Sequence, residues 1–188
     1  MNYAARIRRL QAEIQQPLLI TNLINIRYLT GFTGSSAFLY LSTEGGTFLT
    51  DGRYGEVAGG IVSELPGIEL DIYSSGLLDQ LATAIGAASQ VGLEATNVTW
   101  DFVHTLRDKT TAKLTATKGV VEVHRRVKDA DEVEALRKAA AAGYLAFDSE
   151  DALVMASRTE GELGDGLGAN MRSAGAEQAG WPPIVAVG

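Results

Sequence analysis

The chain has 188 residues, a length that fits one domain or one domain with part of a second. Its 16 Lys and Arg residues against 23 Asp and Glu residues give a net charge of −7, which argues against sequence-independent nucleic-acid binding because such binding needs a basic surface. The lack of Cys excludes disulfide scaffolds and thiol chemistry, and no apolar run is long enough for a membrane helix or a secretory leader, so we expect a cytoplasmic location.

Helical and strand patterns alternate over the first 118 residues. Ile7, Leu10 and Ile14 recur on one face of a helix predicted over 2–16, which Pro17 ends. The further predictions are a strand at 17–21, a hairpin of strands 38–41 and 47–50 around Gly45-Gly46, a helix at 53–63, a strand at 68–73, a helix at 77–88, a strand at 91–94, a helix at 98–108 and a strand at 113–116. This order predicts an α/β fold in which helices flank a mixed sheet.

The composition changes after Arg125, where a long helix is predicted. Asp129 and Glu132 have the spacing of a capping box, which favours a helix start at this point. The helix is expected to run over about 130–156. Its apolar stripe consists of Val133, Leu136, Ala140, Tyr144 and Phe147.

A second capping box, Thr159 with Glu162, predicts a helix to about Ala174 that Gly175 stops in a left-handed conformation. The apolar segment 181–188 then predicts a strand. Because nothing follows this strand to pair with it, we expect that a larger domain is incomplete here. The predicted division is one domain at 1–125 and a linker with the start of a second domain at 126–188.

Residue patterns for metal or nucleophilic chemistry are scarce. The two histidines are expected to be structural, His104 on a helix surface and His124 solvated in a basic linker, and neither has a second His at metal-ligand spacing. The serines at 35 and 36 lie outside any Gly-x-Ser-x-Gly elbow. The acidic cluster at 129–132 could bind a cation, but the helix dipole is the favoured explanation.

The most informative segment covers residues 20–54. Gly31 and Gly34 would let a loop turn sharply between strands and carry Phe32 and two hydroxyls outward. The turn at 51–52 would place Arg53 at the start of a helix. On physical grounds alone, the pattern is explained almost as well by a sheet-to-loop transition whose aromatic residues have only a packing role.

Residues 25–35, which read Asn-Ile-Arg-Tyr-Leu-Thr-Gly-Phe-Thr-Gly-Ser, and Thr-Asp-Gly-Arg-Tyr at 50–54 closely resemble the N-terminal domain of the Xaa-Pro peptidases. That family comprises aminopeptidase P, prolidase and their relative creatinase. The resemblance continues in order through residues 127–132, 159–162, 175–177 and 183–188. It implies a creatinase/prolidase N-terminal-like domain followed by two helices and one strand of a truncated "pita-bread" domain.

In this family the pita-bread domain holds two divalent metals, Mn, Co or Zn, through two Asp, one His and two Glu. These ligands, and the catalytic histidines, lie beyond the segment that matches 183–188. No residue here matches a metal ligand or a catalytic residue. The resemblance therefore implies the N-terminal portion of a metal-dependent exopeptidase that cleaves next to proline, with no metal bound by this chain and no activity expected from it alone.

The resemblance also implies candidate substrate-binding residues, because in family dimers the N-terminal domain of one subunit faces the active site of the other. Phe32 is the candidate apolar wall, and Ser35 or Ser36 is a candidate polar contact. Arg53 could pair with a substrate carboxylate or an interface acid, but a local structural salt bridge is favoured.

Two alternative functions remain open. The chain could be a non-catalytic dimerisation or peptide-binding module of the same family, or, less favoured, a fragment of a creatinase-like amidinohydrolase. The apolar face of the helices at 129–175 needs a cover, which predicts a homodimer with the helix at 130–156 at or near the interface. Proline-containing peptides are possible partners; nucleic acid and membrane are not expected.

Overall fold

The strands predicted over residues 17–116 pair into one mixed six-stranded sheet. The computed structural model describes residues 1–149 and 158–186, and the chain divides into two units, Met1–Val127 and Lys128–Gly188. The elements of the first unit are α1 (Tyr3–Glu13), β1 (Leu18–Ile20), α2 (Leu23–Thr30), β2 (Ala37–Leu41), β3 (Gly46–Asp51), a 3-10 turn (Gly52–Tyr54), α3 (Gly55–Ser63), β4 (Ile68–Tyr73), α4 (Leu77–Ile85), β5 (Gln90–Glu94), α5 (Trp100–Arg107), β6 (Lys113–Thr117) and α6 (Val120–Arg126). The strands, the hairpin and α1, α3, α4 and α5 match their predictions to within a few residues at each end.

The sheet has the strand order β4-β3-β2-β1-β5-β6. β2 is antiparallel to both neighbours, whereas β3 with β4, β1 with β5 and β5 with β6 are parallel pairs. Five strands therefore point the same way, and their carboxyl ends meet at one edge of the sheet together with the start of β2. We call this edge the carboxyl edge.

The core lies on both faces of the sheet, because successive side chains of a strand point to opposite faces. On one face, Phe48 of β3 packs with the apolar sides of α1, α2 and α3. On the other face, Leu19 and Leu49 pack against α4 and α5. This burial explains why β1 reads as a continuous apolar run, since all three of its residues are buried.

The helix α2 was not among the predicted elements, and it replaces the expected strand-to-strand loop. Its residues are rich in branched side chains, which favour strands. Its ends carry local signals that favour a helix: Asn22 accepts a hydrogen bond from the Ile24 amide as N-cap, and Gly31 closes the helix in the left-handed region at φ 81°.

The prediction that His124 is solvated in a basic linker is wrong. These residues form α6, and the His124 side chain is 10% exposed, with its Nε2 3.4 Å from a carboxylate oxygen of Glu13. Gly119 begins the helix at φ 72°, and Val121 buries its side chain in the core. The buried side chain of Val121 therefore holds the basic segment against the core of the first unit. His104 is exposed on α5, as expected.

The second unit contains α7 (Ala130–Asp148) and α8 (Glu160–Ser173). Both predicted capping boxes are confirmed, since the Asp129 and Thr159 side chains accept from the amides of Glu132 and Glu162 and each Glu bonds back to its cap. Gly175 follows α8 at φ 94°, as predicted.

Two other predictions for the second unit have different outcomes. The predicted continuation of α7 to 156 falls on 150–157, which lie outside the described residues. The strand expected at 181–188 is not formed within 182–186, and 187–188 are not described. A strand requires a hydrogen-bonded neighbour, and the described residues provide none here.

Candidate functional site

The candidate site lies at the carboxyl edge, where α/β sheets commonly bind ligands. Two segments meet there: the loop 31–36, which leads into β2, and the 3-10 turn that follows β3. The chain reversal at Gly31 and the parallel pairing of β3 with β4 bring the loop beside the last residues of both strands, Asp51 and Tyr73.

Ser35 is exposed and is bonded to Tyr54. The two side-chain oxygens lie 2.9 Å apart, and the Ser35 amide donates to the Tyr54 hydroxyl at 3.2 Å. This hydrogen bonding lowers the pKa of Tyr54. Gly34 must be small, because a Cβ would overlap the Phe32 ring and approach Tyr54 Cδ1 to 2.9 Å.

Ser36 is half-buried and joins the loop to β4. Its hydroxyl oxygen lies 2.6 Å from the hydroxyl of Tyr73, and its carbonyl oxygen accepts from the hydroxyl of the fully buried Thr50 at 2.7 Å. Tyr73 was not among the predicted site residues. Its position at the end of a strand parallel to β3 was the signal that could have identified it.

Arg53 forms an ion pair within its own turn. Its Nε and Nη2 donate to Asp51 Oδ1 and Oδ2 at 3.0 and 2.8 Å, while the Arg53 amide donates to Oδ1 at 3.0 Å. These bonds hold the pKa of Asp51 at about 2, even though burial opposes the shift. The structure thus contains the local salt bridge that was favoured for Arg53, and the guanidinium side chain remains 69% exposed.

The expectation that the loop carries Phe32 outward is wrong. Phe32 is 1% exposed and packs edge-to-face against Phe48 and Tyr54, with ring centroids 5.2 and 5.4 Å apart. Burying the ring in the core is favourable because it removes a large apolar surface from water. Phe32 thus anchors the loop, and the hydroxyls of Ser35 and Ser36 lie at the edge.

A second polar network at the same edge was missed by sequence reasoning. Glu94, the last residue of β5, accepts from the amides of Thr21 and Asn22 at 2.6 Å each and from the side chain of Asn25 at 2.6 Å. Asn25 is fully buried, and its amide group also binds Glu122 and Arg125. This network holds the start of α2 against β5 and α6, which fixes the direction from which the loop 31–36 leaves the helix.

Chemically, the two serines, two tyrosines and one ion pair can bind polar groups by hydrogen bonding. Neither histidine hydrogen-bonds to these serines within the described chain, so no activated serine is assembled.

Over residues 1–149 and 158–186, no group of three or more His, Asp or Glu side chains could hold a metal ion. The described residues therefore do not fit the two-metal centre that the resemblance implies elsewhere in the family. None of the described helices is long and apolar enough to cross a membrane.

Comparison with known proteins assigns the first unit to a family. Residues 6–127 match the creatinase/prolidase N-terminal domain. The chain is 29% identical over 177 residues to the "Uncharacterized peptidase YqhT" of Bacillus subtilis (strain 168), an alignment that covers 91% of this chain and 48% of that protein.

Solved structures show the same relationship. An Xaa-Pro dipeptidase from Bacillus anthracis matches with a TM-score of 0.82 at 25% identity, over 94% of this chain and 51% of the dipeptidase. The N-terminal domain of the cytoplasmic peptidase PepQ from Mycobacterium tuberculosis H37Rv matches at 30% identity with a TM-score of 0.55, over 64% of this chain and 98% of that domain. The chain spans about half the length of the curated relative and of the dipeptidase, and it belongs to the creatinase/prolidase N-terminal domain family.

Proposed function

We propose that this chain is the N-terminal portion of a metal-dependent Xaa-Pro exopeptidase, which cleaves peptide bonds next to proline in the cytoplasm. The observation that carries the proposal is the extent of the match. The Xaa-Pro dipeptidase from Bacillus anthracis aligns with 94% of this chain, so the likeness includes α7 and α8 as well as the sheet domain. The metal centre and the catalytic acid–base groups would come from residues outside this chain.

In this proposal the carboxyl edge faces the substrate pocket of a partner subunit. Ser35 and Ser36 offer hydroxyls for the polar groups of a peptide, and the exposed guanidinium of Arg53 offers a cation. Phe32 contributes indirectly, because its buried ring fixes the loop that carries the serines. The bond from Arg53 to Asp51 would orient the guanidinium before a substrate arrives.

The first experiment measures hydrolysis of an Xaa-Pro dipeptide and an Xaa-Pro-Xaa tripeptide by the 188-residue chain with added Mn²⁺. No turnover is expected, and turnover that chelation abolishes would contradict the proposed inactivity. The second experiment reads the genomic coding frame beyond the codon for Gly188. A continuation with two Asp, one His and two Glu in metal-binding positions is expected, and a stop codon directly after Gly188 would argue against the exopeptidase.

A dimerisation module is the second candidate, and one observation favours it. Leu136, Tyr144 and Phe147 of α7 are all exposed and lie within roughly 80° of one another around the helix. The buried residues of this helix, Ala142 and Ala146, lie on a different face, at least roughly 80° around the helix from each residue of the stripe. An exposed apolar stripe of this kind is typical of a surface that a second protein covers.

We propose that a second copy of the chain covers this stripe. The mass of the chain in solution, measured by light scattering after size-exclusion chromatography, should equal two copies. Tyr144→Glu should shift the mass to one copy, whereas Glu134→Gln, on the same helix, should leave it unchanged. A wild-type mass of one copy would contradict the dimer. Calorimetry with proline-containing peptides then distinguishes a peptide-binding module, which gives heat, from a dimerisation element, which does not.

A further inference from the structure

An apolar cavity lies between α5 and the edge strand β6, and neither the family nor the proposed function accounts for it. Its volume is about 330 Å³, at the lower end of the range for small-molecule sites. Apolar side chains form most of the wall, namely Leu93, Val98, Val103 and Leu114. β6 pairs with β5 on one side and is the last strand of the sheet, so the cavity opens at the sheet edge.

The two ends of α5 mark the two ends of the cavity. Trp100, the first residue of the helix, is 81% exposed and lines one end. Arg107, the last residue, lines the other. The two residues are seven positions apart, which corresponds to about 10 Å along the helix axis.

The polar groups of the cavity leave one cation without a partner. No Asp or Glu lines it, and the Arg107 side chain makes no hydrogen bond or ion pair within residues 1–149 and 158–186. The Thr115 hydroxyl, which also lines the cavity, bonds to the side chain of Gln16, and the Thr99 hydroxyl oxygen accepts from the Phe102 amide. Among the lining residues the guanidinium is therefore the one charged group available to a ligand, and it lies beside an apolar wall.

We propose that this cavity binds an elongated apolar monocarboxylate, such as an arylalkyl carboxylate. The carboxylate would pair with the guanidinium of Arg107, whose planar N–H groups match two oxygens at once. The apolar end would lie over Leu114 and Val103 and contact the Trp100 ring, about 10 Å away. The inference does not depend on the peptidase proposal, because it uses only residues of this cavity.

The experiment uses the fluorescence of Trp100. The chain has two tryptophans, so Trp181→Phe leaves Trp100 as the reporter. Titration with 4-phenylbutanoate should change its emission in a saturable way. The uncharged 4-phenylbutanamide, which has the same shape, should bind at least about tenfold more weakly because it cannot form the charge-assisted pair. A non-saturable response to the carboxylate, or equal affinity for the amide, would overturn the proposal.

Variants in the same background locate the ligand. Arg107→Gln should weaken carboxylate binding at least about tenfold, and Ala116→Leu should abolish it by filling the cavity. Arg8→Gln removes an exposed arginine from α1 and should bind like the parent. Circular dichroism checks folding, and the comparison of carboxylate with amide decides the question without any cavity variant. Unchanged affinity in a folded Arg107→Gln protein would overturn the assignment.

Discussion

The hydroxyls of Ser35 and Tyr54 lie 2.9 Å apart, which ties the loop before β2 to the turn after β3. The same tyrosine ring packs edge-to-face against the buried Phe32. Tyr54 thus contacts the loop both at its exposed serine and at its anchor in the core. The predictions below test how the carboxyl edge is built and held.

Phe32→Ala should lower the free energy of unfolding by about 3–5 kcal/mol, because it leaves a cavity beside Phe48. Chemical denaturation measures this change. Trp181→Ala is the matched control, since that ring is exposed and lies outside the stripe on α7, and it should change stability by less than about 0.5 kcal/mol. A loss at Phe32 no larger than that of the control would mean that the ring is not a core residue.

The carboxylate of Asp51 should stay ionised at pH values well below those at which an aspartate usually titrates. Its pKa is about 2 in the folded chain, chiefly because of the Arg53 side chain, against an ordinary value of 3.8. The stability contributed by the pair is therefore present above about pH 4 and is lost as the pH falls through about 2. Carboxyl ¹³C NMR titration measures the midpoint.

Arg53→Gln provides the comparison for Asp51. The Asp51 midpoint should rise toward 3.8 in this variant, because the side chain that lowers it most is removed. An Asp51 midpoint near 4 in the wild-type chain would contradict the ion pair as the cause.

Gly31→Ala should destabilise the chain by about 1–2 kcal/mol. The residue has φ 81°, which an L side chain adopts at a cost, and an added Cβ would lie 2.8 Å from the Tyr3 ring. Gly60→Ala is the control, and its effect on stability should have the opposite sign, because this glycine lies within α3 with open space around it. It should stabilise the chain by roughly 0.5–1 kcal/mol. Thermal unfolding compares the two, and shifts of the same sign would contradict the backbone argument.

Glu94→Gln should cost about 1.5–3 kcal/mol of unfolding free energy. The carboxylate accepts the amides of Thr21 and Asn22, and hydrogen bonds to a charged group are the stronger kind. Denaturant titration measures the loss, and Glu69→Gln on the exposed face of β4 should have little effect. Hydrogen exchange should also show faster opening of α2 in the Glu94 variant than in the Glu69 control. Equal exchange in both would mean that the network does not hold α2.

Patterns within the sequence predicted much of the fold, because their causes are local. The capping boxes at 129–132 and 159–162 are confirmed since a cap needs residues only three positions apart. The hairpin around Gly45 is confirmed for the same kind of reason. Apolar runs, turn signals and, at 68–73, alternating apolar positions also predicted the six strands of the sheet. The resemblance at residues 25–35 and 50–54 identified the family.

The tertiary structure decided which side chains those elements bury and which they present. The segment 23–30 has strand-like composition. Glu94, 69 or more residues away in sequence, accepts hydrogen bonds from the amides of Thr21 and Asn22 just before this segment and from the Asn25 side chain within it, and so holds it as a helix. Phe32 is buried and His124 is packed because Phe48, Tyr54 and Glu13 come from other elements to meet them. A local pattern specifies hydrogen bonds between near neighbours, whereas burial depends on distant residues that only the folded chain brings together.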